Sequence, residues 1–144
     1  MRLLIDTNIF LEVIYNQRRA PDARVLLESE DHQLYVSDFA LHSIGVSMLN
    51  RGRASRWPDF VSETILSGQV EVLTVPYDLL PQVTATAQRL NLDFDDAYQY
   101  VVAEYNDLIL VSFDRDFDHT PRKRQAPQTI NQISSATNSS SEDQ

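Results

Sequence analysis

The sequence predicts an α/β protein in which a parallel sheet is sandwiched by helices. Three observations predict it. Short apolar runs recur as Leu3–Ile5, Leu34–Ser37, Val70–Val75 and Leu108–Val111. Amphipathic segments of helical length separate them, and strands that alternate with helices favour parallel pairing through helical crossovers. Asp6 closes the first run and Asp114 lies just past the last. Open sheets of this kind place their sites at the carboxyl ends of the strands. If the first and last strands are neighbours, these two carboxylates meet at one edge.

Each element follows from local chemistry. After the first strand, Thr7 or Asn8 can cap a helix that carries Ile9, Phe10, Val13 and Ile14 on one side. Pro21 suits the first turn of a second helix, with Val25, Leu26 and Leu27 inward. Asp38 is a fitting N-cap for a third helix, whose Leu41, Ile44, Gly45, Met48 and Leu49 form a helical apolar stripe. Ser43, Ser47 and Asn50 fall on another face. Gly52 can end that helix. Trp57-Pro58 interrupts the chain, and a fourth helix runs to about Leu66, closed by Gly68. Asp78 precedes a fifth helix with Leu80, Val83, Ala87 and Leu90 inward. A sixth runs from about Phe94 to Tyr105. Past Ile130 the segment 131–144 is rich in Ser, Asn and Gln, and it holds one isoleucine, Ile133. It has little apolar surface to offset the entropy of ordering, so a flexible polar tail is expected after a domain spanning 1–130.

Composition narrows the function. A hydrophobic content of 42% with 23% charged residues is ordinary for a globular domain. There is no cysteine, which excludes disulfides and thiolate metal sites. No apolar run approaches the roughly 18 residues of a membrane span. Asp6 breaks the apolar core that a secretion signal at the N-terminus would need, so a cytoplasmic protein is expected. A net charge of −9 argues against a general polyanion-coating protein. It leaves room for an acidic metal site that handles phosphodiesters, because a bound cation inverts the local charge. With three glycines in the chain, nucleotide-binding Gly-rich loops are absent.

The acidic residues cluster in 91–118. Asp93, Asp95 and Asp96 open the sixth helix, more acid than the helix dipole alone requires. Asp114, Asp116 and Asp118 resemble the start of a calcium loop, but His119 stands where that loop needs Gly and Gln125 where it needs a bidentate Glu. Asp6 is equally a helix N-cap and a candidate metal ligand. The histidines lack the spacing of a helical zinc site. Two basic groups, Arg51/Arg53/Arg56 and Arg122/Lys123/Arg124, are either solvated surface or phosphate contacts.

Taken together, LLIDTNIFLE and LDFDDAYQYVVAEYNDLILVSFDRDF resemble the PIN-domain family, which includes VapC-type toxin ribonucleases. The resemblance covers roughly residues 1–130. Its Asp-Ala step selects Asp96 over Asp95, and its T/S-x-D-x-D-F motif selects Asp114 with Asp116 beside it. It implies a PIN-like three-layer α/β/α sandwich around a mostly parallel sheet of four to five strands. It also implies metal-dependent hydrolysis of RNA, with Asp6, Asp96 and Asp114 catalytic and holding Mg²⁺ or Mn²⁺, Asp116 as a further ligand, and Thr7, Asn8 and Ser112 orienting the carboxylates. All-oxygen ligands favour those ions over zinc. An antitoxin protein and a second copy of the chain are the implied partners. One departure stands out: where the family carries a glutamate early in the third helix, this chain has Ser43 or, at best, His42, neither a carboxylate, and both stand as auxiliary candidates, His42 able to ligate a metal or orient a phosphate. The alternative reading is therefore a catalytically weakened PIN-fold module that binds RNA or a protein. A haloacid-dehalogenase-like hydrolase is disfavoured, since Asn8 stands where a second Asp would follow Asp6.

Overall fold

In the computed structural model, which describes residues 1–142, the elements run β1 (Arg2–Ile5), α1 (Thr7–Ile14), α2 (Ala20–Glu28), β2 (Gln33–Ser37), α3 (Asp38–Asn50), α4 (Trp57–Val61), β3 (Val70–Leu73), α5 (Pro81–Leu90), α6 (Phe94–Asn106), β4 (Ile109–Val111) and α7 (Pro127–Glu142). The four strands form one parallel sheet in the order β3-β2-β1-β4. In β1, side chains alternate between the two faces, as a strand requires. Leu3 and Ile5 pack with Ile9, Phe10, Leu26, Ile44 and Met48 of α1, α2 and α3. Leu4 packs on the opposite face with Val83 of α5 and Ala97, Tyr100, Val101 and Val102 of α6. The molecule is thus a three-layer α/β/α sandwich. Both faces of the sheet are covered, which explains why its strands read as continuous apolar runs.

Strand order decides where a site can form. The chain passes from β1 to β2 on one side, and β4 arrives on the other side of β1. That makes the carboxyl ends of β1 and β4 the point where strand order reverses, the place for a site in such sheets. Ile5 pairs with Val111, so Asp6 and Ser112 emerge side by side. The Asp6 N–H continues the ladder to the Val111 carbonyl at 3.0 Å.

Several local expectations change. Asp6 itself caps α1, accepting the Thr7 N–H, and Ser37 rather than Asp38 caps α3, accepting the Ala40 N–H. In α3 the core-facing stripe is Ala40, Ile44 and Met48, while Leu49 is 67% exposed. Trp57 takes up the face next to it, lying against Gly45, where an added Cβ would come within 3.2 Å of the indole. The fourth helix does continue to Leu66, but its last turn widens to a π-helical one over Ser62–Leu66. The third strand ends at Leu73.

The expected tail is the largest difference. Residues through Glu142 form α7, and only Asp143 and Gln144 of that segment lie outside the described residues. Ile130 is fully buried against the α1–α3 layer. Asn131 donates to the Asp22 carbonyl at 3.0 Å, and Ser134 and Asn138 donate to the Asp31 carboxylate at 2.8 and 3.0 Å. Ile130 anchors the start of the helix, and beyond it polar side chains tie it down. No helix of the described residues is long and apolar enough to cross a membrane.

Candidate active site

Asp6 projects from the end of β1 into an acidic cleft with only 7% of its surface exposed. A carboxylate buried so far needs donors, and four converge on it. Oδ1 accepts the Thr7 N–H and Gln99 Nε2, both at 2.7 Å. Oδ2 accepts Ser112 Oγ at 2.6 Å and Asn8 Nδ2 at 3.3 Å. Burial raises the Asp6 pKa, while the Gln99, Ser112 and Thr7 donors pull it back and Asp114 adds to the rise.

Ser112 joins the two strand ends. Its hydroxyl donates to Asp6 and accepts from Asn8 Nδ2 at 3.1 Å and from the Asp114 N–H at 2.9 Å. Asn8 Oδ1 in turn accepts the Phe113 N–H at 3.2 Å. The turn carrying Asp114 is therefore fixed to the turn carrying Asp6 by side chains of both.

The second acidic group lies at the mouth of the same cleft. Asp93 caps α6 by accepting the Asp96 N–H at 2.8 Å, which sets Asp96 on the first turn facing β4. Asp114 Oδ1 accepts the Asp116 N–H at 2.9 Å and opens a short 3₁₀ turn over Arg115–Phe117, anchored by the fully buried Phe117. One carboxylate oxygen from each of Asp96, Asp114 and Asp116 lies within 4.8 Å of the others. Like charges so close disfavour ionisation. Desolvation, with Asp93, Asp6, Asp114 and Asp116 adding to it, pushes Asp96 up to about 7. Asp116 is raised chiefly by the Asp114 charge.

These positions refine the residue expectations. Asp6, Thr7, Asn8, Ser43, Asp96, Asp114 and Asp116 all line the cleft, together with Asp93, Asp95, Leu11, Phe39 and Gln99. Thr7 contributes its backbone N–H to Asp6. Asp116 stands in the convergent triplet, whereas Asp6 stands behind it, held by its donors. Of the two α3 candidates, Ser43 faces the cleft and donates to the Phe39 carbonyl at 3.1 Å. His42 is not brought to the site. It is exposed and lines a separate apolar depression with Leu41, Val46, Leu49 and Trp57, because successive helical residues point about 100° apart.

Gln99 escapes a reading of the sequence. It lies one turn after Asp96 on α6 and is 5% exposed. Its amide turns Nε2 toward Asp6 Oδ1, which accepts it. That leaves Gln99 Oε1 buried with no partner. The only signal available beforehand was spacing: Gln99 follows Asp96 by three residues, the interval that puts both on one helix face.

Comparison with known proteins agrees with this geometry. The family description PIN domain matches residues 3–123, and the chain belongs to that family. No curated protein matches it in sequence. Among solved structures it is similar to PAE2754 from Pyrobaculum aerophilum, at 21% identity and a TM-score of 0.64, covering 94% of this chain and 96% of that one. It is also similar to a toxin-antitoxin complex from Klebsiella pneumoniae, at 22% identity and a TM-score of 0.65, over 87% of this chain and 97% of that one. VapBC-1 from nontypeable Haemophilus influenzae shares the fold at 15% identity and a TM-score of 0.65, over 89% of this chain and 99% of that one.

Proposed function

We propose that this protein is a metal-dependent endoribonuclease and the toxin of a toxin-antitoxin pair. One observation carries the reading: three carboxylates from two separate segments, Asp96 of α6 and Asp114 and Asp116 after β4, converge at the strand-order reversal, in mutual repulsion. PIN domains are generally nucleases, and proteins of the same fold occur in toxin-antitoxin complexes. The donor set suits a hard divalent cation, all oxygen with no thiolate or imidazole, and its repulsion is the kind that a cation relieves. Asp96, Asp114 and Asp116 would hold Mg²⁺ or Mn²⁺, with Asp6 behind them. When bound, such an ion supplies Lewis acidity at the phosphate and lowers the pKa of attacking water.

The chain's own residues divide the remaining work. Asp6 is a fixed anchor, its two oxygens locked by Gln99, Ser112, Asn8 and the Thr7 amide. Ser112 and Asn8 hold the Asp114 turn in register with β1, so the reactive carboxylates keep their spacing without substrate. Asp96, with a pKa of about 7, is poised to gain or lose a proton near neutrality when the cluster is free of cation. By likeness to the family, the protein acts in the cytoplasm as a homodimer restrained by an antitoxin.

The test is cleavage of mixed RNA with Mn²⁺ by wild type, Asp6→Asn and Asp114→Asn, alongside melting curves. Metal-dependent cleavage lost in both variants, with Mn²⁺ raising the wild-type melting temperature, supports the enzyme. Absence of cleavage with retained RNA or protein binding supports the second reading, a weakened binding module. Ser43, standing where the family has a glutamate, is the observation that favours it.

A further inference from the structure

Six of the eleven arginines fall into two groups by what holds their side chains. Arg2 donates to the Asn106 carbonyl, Arg24 to Asn16, Arg122 to Asp107 and the Leu108 carbonyl, and Arg124 to the Ser112 carbonyl and Asp118. Their forks are committed to the fold, that of Arg2 also lying 5.5 Å from the centre of the Tyr35 ring. Arg51 and Arg19 differ, because they lie over aromatic faces with no terminal fork nitrogen so committed. The Arg51 guanidinium lies 3.8 Å from the centre of the Tyr15 ring, and that of Arg19 lies 4.0 Å from the centre of the Phe113 ring. Arg51 makes no ion pair among the described residues. Arg19 has one long contact, Nε to Glu12 at 3.5 Å. The terminal nitrogens of both remain free to meet an external acceptor. A guanidinium stacked on a ring is pre-oriented, and its fork matches phosphate oxygens bidentately.

Their placement follows from helical spacing. On α1, Thr7 and Leu11 line the acidic cleft, and Tyr15 continues that stripe at the next i+4 position, about 12 Å from Thr7. On α3, Ser43 lines the cleft, and Ser47 and Arg51 continue it at the same interval. Tyr15 and Ser47 hydroxyls meet at 2.7 Å, joining the two stripes. The two stripes thus run side by side from the acidic cleft, and Arg51 stands at their far end. Arg19 covers Phe113, the residue beside Asp114. Glu12, 8% exposed at its side chain, fixes the Arg19 backbone by accepting its N–H at 2.8 Å.

We propose that this surface seats a single RNA strand, with Arg51 and Arg19 gripping backbone phosphates of the strand that enters the acidic cleft. The proposal rests on the nuclease reading and adds the substrate path. A positive residue at the end of α3 also suits the helix dipole, but the dipole gives no reason for stacking on Tyr15 or for a matching pair across α1. Two free guanidinia beside an acidic cleft supply the local attraction that a chain of net charge −9 otherwise withholds from RNA.

The experiment measures binding, not turnover. A labelled mixed-sequence single-stranded RNA is titrated by anisotropy at several salt concentrations in Mg²⁺, using the Asp114→Asn background to prevent cleavage. Arg51→Ala and Arg19→Ala are each expected to weaken binding about tenfold and to reduce the slope of log K against log salt by about 0.7, the release of one phosphate contact on a single strand. Arg51→Lys should keep the slope and lose part of the affinity. Arg122→Ala, whose fork is already committed, should change neither. An unchanged slope in both alanine variants overturns the proposal, as does failure of the RNA to bind at all. Binding of an acidic peptide in place of RNA, abolished by the same substitutions, also overturns it and makes the surface a protein dock. Cleavage by the unmodified protein with no arginine effect sinks the RNA path and leaves the nuclease standing. An arginine effect without any cleavage does the reverse.

Discussion

Asp6 and the Asp96/Asp114/Asp116 group share one cleft and have opposite surroundings. Asp6 is buried and takes four hydrogen bonds. The other three face one another at the opening, and the hydrogen bonds near them go to capping: Asp93 to the Asp96 N–H, Asp114 to the Asp116 N–H. The fold directs its donors to one carboxylate and gives the others little beyond capping. The first arrangement gives a rigid reference point. The second stores repulsion that a cation can relieve. Stability and function are thus separable within one cluster of acids, and substitutions should separate them.

The largest expected effect is at the anchor. Asp6→Ala removes the acceptor for Gln99, Ser112 and Asn8 at once. A buried donor left without a partner costs about 1–3 kcal/mol, so urea denaturation should show a loss of about 3 kcal/mol or more. A loss below about 1 kcal/mol would mean that the network merely fills space around Asp6. Asp6→Asn, which keeps the shape and one acceptor, should cost less.

The opening should behave the other way. Asp96→Asn takes one charge out of the repulsive group, and the metal-free protein should melt about 2–4 °C higher, the shift that roughly 1 kcal/mol produces in a domain of this size. Partial exposure screens the repulsion and limits the gain. The same substitution should diminish the rise caused by Mn²⁺. If metal-free Asp96→Asn melts lower than wild type, Asp96 is stabilising the fold and the contrast with Asp6 collapses.

These contrasts explain what could be foreseen from the chain. The sandwich was legible because its strands are buried on both faces and so are continuously apolar, while its helices carry one-sided stripes. The meeting of Asp6 with Asp114 was conditional on β1 and β4 pairing, which local pattern cannot decide. Gln99 was not legible, because its role exists only where α6 crosses the end of β1, 93 positions away in sequence. His42 and Ser43 could not be told apart without the rotation of α3. The helix α7 was missed because its ties are hydrogen bonds to Asp22 and Asp31, which composition does not reveal.

The Asp96 charge also sets a pH dependence with a definite sign. Its folded pKa of about 7 lies above the usual aspartate value of 3.8. Between those values the folded state binds more protons than the unfolded state, so stability falls as pH rises through the window. Asp6 and Asp116 are raised as well and act in the same direction. Metal-free protein should therefore melt at a higher temperature at pH 5 than at pH 8. Saturating Mn²⁺ should flatten the difference, because the ion stabilises the ionised forms. A metal-free profile that climbs from pH 5 to pH 8 would show that the acids at the opening are compensated after all.

The smallest effect is expected far from the cleft, where α7 supplies the counterexample. There the exposed Asp31 accepts Ser134 and Asn138. These two bonds lower its pKa, Asn138 more than Ser134. A depressed carboxyl pKa contributes stability above the unfolded value and loses it as pH falls through the folded one, the opposite sign to Asp96. Asp31→Ala should leave the main melting transition nearly unmoved, since Ile130 keeps the start of α7 in the core. Amide exchange should instead speed up over Ser134–Ser141, where only polar ties hold the helix. If those amides exchange as slowly as in wild type, the helix is held by its own backbone and Asp31 is incidental. If instead Asp31→Ala lowers the main transition as much as Asp6→Ala does, α7 is integral to the core, and the buried anchor loses its special standing.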